Sequence, residues 1–330
     1  MYKSKKMKKI LITGACGFIG SHLAEFLIKK GFKVIAFDRY NSFNNWGNLE
    51  NSKFKKDIEV ILGDLRDYDS VTKAMNKCDE VYHLGALIGI PYSYISPLAY
   101  IKTNIEGTYN VLEASKVNNI SNVIITSTSE VYGSAQYTPM DENHPLVGQS
   151  PYSASKIAAD QLALSYYKSF KLPVKIARPF NTFGPRQSLR AIIPSLVAQF
   201  QNNKVIKIGN TKPVRDFTYV TDTCEGLFNI SKKNVFTGKV INIGTSNGHS
   251  INSIIKTIQN YYPNKVKFLK DKKRIRPNDS EVDKLICNNK YLQTKTNWKP
   301  KTSLNEGIRM YIEWFNQQPS DYFKSDLYNV

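Results

Sequence analysis

The sequence predicts an α/β fold: a Rossmann-type doubly wound parallel sheet with a smaller C-terminal substrate-binding region. Three observations predict it. Short apolar runs alternate with helical patterns through the first half of the chain. A glycine-rich turn joins the first run to the first helix. Past residue 180 the pattern becomes irregular, with prolines at 185, 194, 213, 277 and 300.

The elements follow in order. Ile10, Leu11 and Ile12 form a continuous apolar run, as a buried parallel strand requires. Gly14, Gly17 and Gly20 follow at the spacing G-x-x-G-x-x-G. Apolar residues at 19, 23, 26 and 27 then keep a helical period, and Gly31 ends it. Glycines between a strand and a helix permit a tight turn, close approach of a pyrophosphate and close helix–strand packing, with the helix N-terminus facing the phosphates. The strand Lys33 to Phe37 ends at Asp38, eighteen residues after Gly20. That is near the spacing of the acid that binds an adenosine ribose. A carboxylate there repels a 2′-phosphate, which favours NAD over NADP. Further strands are expected near 58–62, 80–84, 123–128 and 173–178, with helices at 105–118 and 152–169.

Tyr152 and Lys156, in the run SPYSASK, carry the chemistry. Four residues apart on a helix, they share a face roughly 6 Å apart along the axis. A phenol with a free pKa near ~10 is a poor base at neutral pH, and a fixed ammonium favours the phenolate. Lowering that pKa by ~3 units takes about 4 kcal/mol of differential interaction. Alone, the pair reads more readily as an amphipathic helix with a solvated lysine. The glycine turn and Asp38 supply the context that makes it a proton-transfer pair.

Together these segments resemble the extended short-chain dehydrogenase/reductase family, and within it the nucleotide-sugar epimerases and dehydratases. The resemblance rests on ITGACGFIGSHL (12–23), GDLRD (63–67), YHLGA (82–86), TNIEGTYNVLEAS (103–115), TSTSEVYG (126–133), RPFNTFGPRQ (178–187), RDFTYVTD (215–222) and RIRP (274–277). It implies that NAD is held tightly and recycled by Gly14, Gly17, Phe18, Ile19, Gly20, Asp38, Asp64, Leu65, Leu84, Gly85, Ala86, Tyr152, Lys156 and Pro179. Family members more often carry Ala where Gly85 stands. It also implies a nucleotide-binding domain of residues 1–180 plus roughly 216–244, and a substrate region of 181–215 and 245–330. The helices near 98–118 and 152–169 resemble those of a four-helix homodimer interface.

The same resemblance assigns roles. Thr128 would hydrogen-bond the sugar's 4-hydroxyl, Tyr152 would take its proton, and Lys156 would hold the nicotinamide ribose and depress the pKa of Tyr152. Glu130 stands where sugar 4-epimerases usually carry no acid. A carboxylate there removes the C5 proton once C4 is a ketone, so that water leaves from C6, as in a 4,6-dehydratase. Ser129 replaces the Asp of the deoxythymidine diphosphate-glucose dehydratases, which leaves open whether Glu130 or Ser129 protonates the leaving hydroxyl. Guanosine diphosphate-mannose dehydratases share Thr-Ser-Glu, and uridine diphosphate-glucuronate decarboxylases share S-T-S-E-V-Y-G. The segments 85–97, 141–161 and 180–194 are similar to the amino-sugar 4,6-dehydratases of the legionaminic-acid pathway. Those act on a nucleotide-linked N-acetylglucosamine, with either UDP or GDP left open here. Asn181, Arg190, Arg215 and Arg276 fall at substrate-binding positions, arginine suiting phosphate through its planar fork.

Composition sets bounds. The chain has 330 residues, 41% hydrophobic, enough for one large or two modest domains. Four scattered cysteines without a C-x-x-C pair argue against a disulfide framework or a zinc site, and with four unclustered histidines predict no metal. A reducing, cytoplasmic location is expected. No apolar run approaches ~18 residues, and the basic start lacks an apolar signal core, so no membrane association is expected. A net charge of +19 raises the question of nucleic acid. The lysines are dispersed and no nucleic-acid-binding signature appears, so the charge is assigned to solvated faces and capture of an anionic substrate. A non-catalytic, cofactor-sensing or nucleic-acid-binding role is disfavoured by the intact Thr128, Tyr152 and Lys156.

Overall fold

A computed structural model describes residues 7–43 and 45–319. The first half alternates as expected: β1 (Lys9–Thr13), α1 (Phe18–Lys29), β2 (Lys33–Asp38), β3 (Ile58–Leu62), α2 (Tyr68–Ala74) and β4 (Glu80–His83). Then come α3 (Ile90–Ile95), α4 (Pro97–Tyr100), α5 (Gly107–Val117), β5 (Asn122–Thr126), α6 (Pro151–Phe170) and β6 (Val174–Pro179). The expected helix at 98–118 is interrupted: Ile101–Glu106 is a π-helical turn between α4 and α5. A wider turn of this kind occurs where a helix is reshaped beside a functional site. Helix α6 has firm ends. Ser150 and Ser153 form a reciprocal capping box, Pro151 occupies the first turn, and Lys171 closes the helix at φ 58°.

The second half supplies β7 (Asn181–Phe183), α7 (Ile192–Asn202), β8 (Val205–Ile208), β9 (Val214–Tyr219), α8 (Val220–Ser231) and β10 (Val240–Ile243). It ends with β11 (Gly248–Ser250), α9 (Ile251–Gln259), β12 (Lys267–Lys270), β13 (Lys284–Leu285), α10 (Lys290–Thr296) and α11 (Leu304–Asn316). The main sheet is parallel throughout, in the order β10-β6-β5-β4-β1-β2-β3. The chain returns to this sheet through α8 and β10. Strand β9, which begins the same stretch, instead centres a smaller sheet with β7, β11 and β13.

Side chains alternate across the main sheet. Ile10, Ile12 and Ile124 join one core with Leu23 and Leu27 of α1. That core runs on without a break into Phe217, Ile254, Ile308 and Phe315 of the C-terminal region. Leu11, Val81, Val123 and Ile176 face the other way, onto Val71, Val111, Leu112 and Ala163 of α2, α5 and α6. Strand order reverses between β4 and β1, so a crevice opens beyond their carboxyl ends.

The opposite, amino end of the sheet buries charge. Glu80 pairs with Lys8 at 2.6 Å and Lys232 at 3.7 Å, and Lys175 donates to the Ser231 carbonyl at 2.7 Å. Burial pushes the Lys175 amine down to about 8, against the pull of Glu80. A lysine depressed in the fold withholds stability below its folded pKa and returns it as pH rises toward the unfolded value. Stability is therefore expected to climb between about 8 and 10.5, the two values for Lys175. Lys175→Met should raise the melting temperature at pH 7 and flatten that climb, as followed by thermal denaturation across pH.

Candidate active site

The crevice is built from absent side chains. Gly14 sits at φ +68°, and a Cβ on it would lie 2.7 Å from the Gly85 Cα. A Cβ on Gly20 would lie 2.1 Å from the Gly14 carbonyl oxygen. Main chain thus packs on main chain where β1, α1 and the end of β4 meet. Gly17 at the N-cap brings no side-chain acceptor, so the first-turn N–H groups of α1, beginning at Phe18 and Ile19, are left for an anion. In that turn the Phe18 ring meets His22 edge-on at 6.0 Å, and the Ile19 backbone carbonyl accepts from Cys224 Sγ at 3.9 Å.

Asp38 closes the turn from β2. Its Oδ2 accepts from the Cys16 amide at 2.7 Å and its Oδ1 from the Arg39 amide at 2.8 Å. Leu84, Gly85 and Ala86 follow β4 along the other wall. A Cβ on Gly85 would meet Leu65 Cδ1 at 2.7 Å, so the Leu65 side chain occupies the room that an alanine would need. Asp64 engages its neighbour, both carboxylate oxygens being taken by Arg66 Nε and Nη2 at 2.9 and 2.6 Å. This cradle fits a dinucleotide: a glycine turn, an uncapped helix start and an acid at the second strand's end.

Strand β5 leads to the candidate catalytic residues. Thr128 is extended beyond its end and accepts from the Glu130 amide at 3.2 Å, opening a 3₁₀ turn over Ser129–Tyr132. Ser129 is 3% exposed. Tyr152, in the first turn of α6, packs edge-on to Tyr100 at 6.2 Å. Burial pushes its phenol above the ordinary range; a hydrogen bond with Thr128 lowers it, and the nearby Glu130, Tyr100 and Asp160 raise it again. The Lys156 ammonium donates to the Thr126 carbonyl at 2.8 Å, and the net effect of the surroundings is to hold the phenol neutral.

Three groups behind the site went unread in the sequence. Asp160 and Arg178 form a buried ion pair at 2.9 Å, and Ser127 Oγ donates to the same carboxylate oxygen at 2.8 Å. His83 bridges Thr13 Oγ1 at 2.7 Å and Thr108 Oγ1 at 3.0 Å. Asn104, in the π-helical turn, donates to the Leu87 carbonyl and to Ser155 Oγ, both at 2.9 Å. Asp160 had a legible signal, since it extends the Tyr152–Lys156 face by one turn.

On the substrate side, Arg215 and Arg276 converge on Glu130. Arg276 Nη1 lies 3.7 Å from Glu130 Oε2, and Glu130 and Arg276 are both among the charges acting on Arg215. Arg215 also faces Glu281 at 3.6 Å. Among the described residues, Arg276 Nη1 and Asn181 Oδ1 are buried without a hydrogen bond, two polar atoms that call for a partner. Arg190 is exposed and lies beside Gly89 and Tyr100, whose ring packs on Tyr152. Pro179 ends β6 in the buried interior. Across the mouth, Ser280 Oγ meets Tyr94 Oη at 2.5 Å and donates to the Gln149 carbonyl at 2.6 Å. Gln149 Nε2 reaches back to the Asp279 carbonyl at 3.0 Å, so the segment bearing Arg276 is strapped over the site.

A family model described as GDP-mannose 4,6 dehydratase matches residues 11–311. The chain belongs to that family. It is 31% identical over 325 residues to the trifunctional UDP-glucose 4,6-dehydratase/UDP-4-keto-6-deoxy-D-glucose 3,5-epimerase/UDP-4-keto-L-rhamnose-reductase RHM1 of Arabidopsis thaliana, covering 94% of this chain and 47% of that protein. It is 37% identical over 255 residues to the dTDP-D-glucose 4,6-dehydratase of Dictyostelium discoideum, covering 72% of this chain and 58% of that one. The chain thus spans about half the length of these two relatives. Among solved structures, Pal from Bacillus thuringiensis has a TM-score of 0.86 at 32% identity, covering 93% of this chain and 99% of that chain. TunA, an NAD-dependent NDP-hexosamine 5,6-dehydratase involved in tunicamycin biosynthesis, has 0.85 at 26%, covering 95% and 99%.

The glycine cradle makes a direct prediction. Gly14→Ala combines a left-handed backbone with a clash against Gly85. It should cost at least about 1–3 kcal/mol, read as a fall in melting temperature.

Proposed function

We propose that the protein is an NAD-dependent nucleotide-sugar 4,6-dehydratase, acting on a UDP- or GDP-linked N-acetylglucosamine. The observation that carries this reading is Glu130: a carboxylate close enough to the Tyr152 phenol to oppose its ionisation, on the turn that Thr128 opens. A simple 4-epimerisation has no use for an acid there. The hexosamine is supported by the resemblance of segments 85–97, 141–161 and 180–194, and by the likeness to TunA.

The cofactor would lie along Gly14, Gly17, Gly20 and Gly85, its adenosine ribose on Asp38 and its nicotinamide end between Lys156 and Pro179. When bound, NAD supplies hydride acceptance at the sugar's C4 and hydride return at C6. The protein's own groups move the protons. Thr128 holds the 4-hydroxyl and Tyr152 takes its proton. The environment holds Tyr152 neutral, so its activation falls to the Thr128 hydrogen bond and to positive charge brought with the cofactor. Glu130 takes the C5 proton, made acidic by the ketone. Ser129 is nearly inaccessible, so Glu130 is assigned the second task of passing a proton to the departing C6 hydroxyl. Arg215, Arg276 and Asn181 would bind the diphosphate.

Ser129 favours a second reading, decarboxylation of a nucleotide-linked uronic acid, through the shared S-T-S-E-V-Y-G string. The MoeE5 structure in complex with UDP-glucuronic acid and NAD, at 27% identity and a TM-score of 0.82, is similar. Incubation with nucleotide sugars in D₂O, followed by NMR, separates the two. A new C6 methyl signal with deuterium at C5 is expected. Carbon dioxide release, or inversion at C4 alone, would refute dehydration. Glu130→Gln should lower turnover by ~10²–10⁴-fold and abolish C5 exchange while NAD binding persists.

We further propose a cytoplasmic homodimer. Among the described residues no helix is long and apolar enough to cross a membrane, and all four cysteines are free. Leu98, Ile101, Tyr109, Val117 and Phe170 are exposed along the segments of α4, α5 and α6. Ile101→Glu with Tyr109→Glu should convert dimer to monomer in sedimentation velocity.

A further inference from the structure

The ion pair between Asp160 and Arg178 has a place in the site that fold stability does not explain. The two side chains are 0% and 2% exposed. Asp160 Oδ2 accepts from Ser127 Oγ at 2.8 Å and from Arg178 Nε and Nη2 at 3.1 and 2.9 Å. Its Oδ1 is buried with no hydrogen bond among the described residues. Arg178 stacks its guanidinium on the Tyr132 ring at 4.9 Å. Desolvation of such a pair offsets most of its attraction, and apolar replacements of buried pairs are often as stable. What an apolar replacement cannot supply is negative charge. Asp160 follows Lys156 by one helical turn and Tyr152 by two, on the same face. Arg178 directly precedes Pro179 and Ser127 directly precedes Thr128, so the pair ties α6 to the ends of β5 and β6.

We propose that Asp160, fixed by Arg178 and Ser127, is a positioning residue that keeps Lys156 cationic beneath Tyr152. The inference rests on the proton-transfer reading of Tyr152 and Lys156. Lys156 is almost wholly enclosed: burial pushes its amine down, and Asp160 pushes it back up. The other groups facing this centre do not replace Asp160. From β4, His83 is driven down to about 3 by burial and stays neutral. From β5, the Thr126 carbonyl accepts the Lys156 hydrogen bond without a charge. Glu130 and Tyr100 act on Tyr152, while Tyr132 stands against Arg178, and Glu142 acts on Tyr132.

Asp160→Asn keeps the shape and removes the charge. Asp160 raises both Lys156 and Tyr152, so its loss moves both downward. Both limbs of the kcat/KM–pH profile should shift to the acid side by about one unit or more. NAD affinity, measured by calorimetry across pH, should begin its alkaline decline about one unit lower than in the wild type. Asp160→Glu should leave the positions of both curves in place. The double variant Asp160→Asn with Arg178→Gln leaves no unpaired guanidinium, guards against misfolding, and should show the same direction of shift. A purely structural role lowers activity without moving either curve; folded variants with unmoved curves overturn the proposal. A wild type that binds no NAD, or Tyr152→Phe with full turnover, overturns the reading beneath it instead.

Discussion

Everything at the site is measured from a contact in which no side chain takes part. The Gly14 carbonyl approaches Gly20, and the Gly14 Cα approaches Gly85, at distances that exclude a Cβ. This contact sets how far the start of α1 lies from the sheet, and so where its free amides stand. It also sets the width of the crevice at the strand-order reversal. Asp38 is drawn into the same arrangement through the Cys16 amide. The floor of the crevice is therefore as rigid as main chain, and its walls carry the residues that vary chemistry.

Much of this was legible because buried parallel strands write themselves as continuous apolar runs. Ile10–Ile12 and Val123–Ile125 need no partner to be read, since both of their faces are covered. The glycine turn and the Tyr152–Lys156 spacing were legible for a similar reason: each is local. The smaller sheet was not. Strands β7, β11 and β13 have three, three and two residues, and exist only because β9 pairs with them. Nor was the π-helical turn at Ile101–Glu106, where the backbone departs from the period that side chains follow.

Spacing is silent where the outcome is a balance of environments. It put an ammonium one turn from a phenol and suggested a lowered pKa. Enclosure of Tyr152 and three raising neighbours outweigh the lowering bond from Thr128. Spacing is equally silent on Arg190, since a guanidinium in a promising motif reads alike whether it ends among the other arginines or beside Tyr100. By contrast, Arg215 and Arg276, separated by sixty-one positions in the chain, are gathered at Glu130 by packing that no local pattern records.

The strap formed by Tyr94, Ser280 and Gln149 bears on timing rather than on bonds broken or made. In the proposed cycle an electron pair is lent to the cofactor and owed back to the same sugar. A ketone that escaped early would strand the reduced cofactor and halt the enzyme. The segment carrying Arg276 is fastened to α3 through Tyr94 and to the loop bearing Gln149, so in the proposed cycle these hydrogen bonds would slow the departure of a nucleotide sugar. Retention until the loan is returned would then be a kinetic property of the doorway, as it is in enzymes whose rate is set by opening and release.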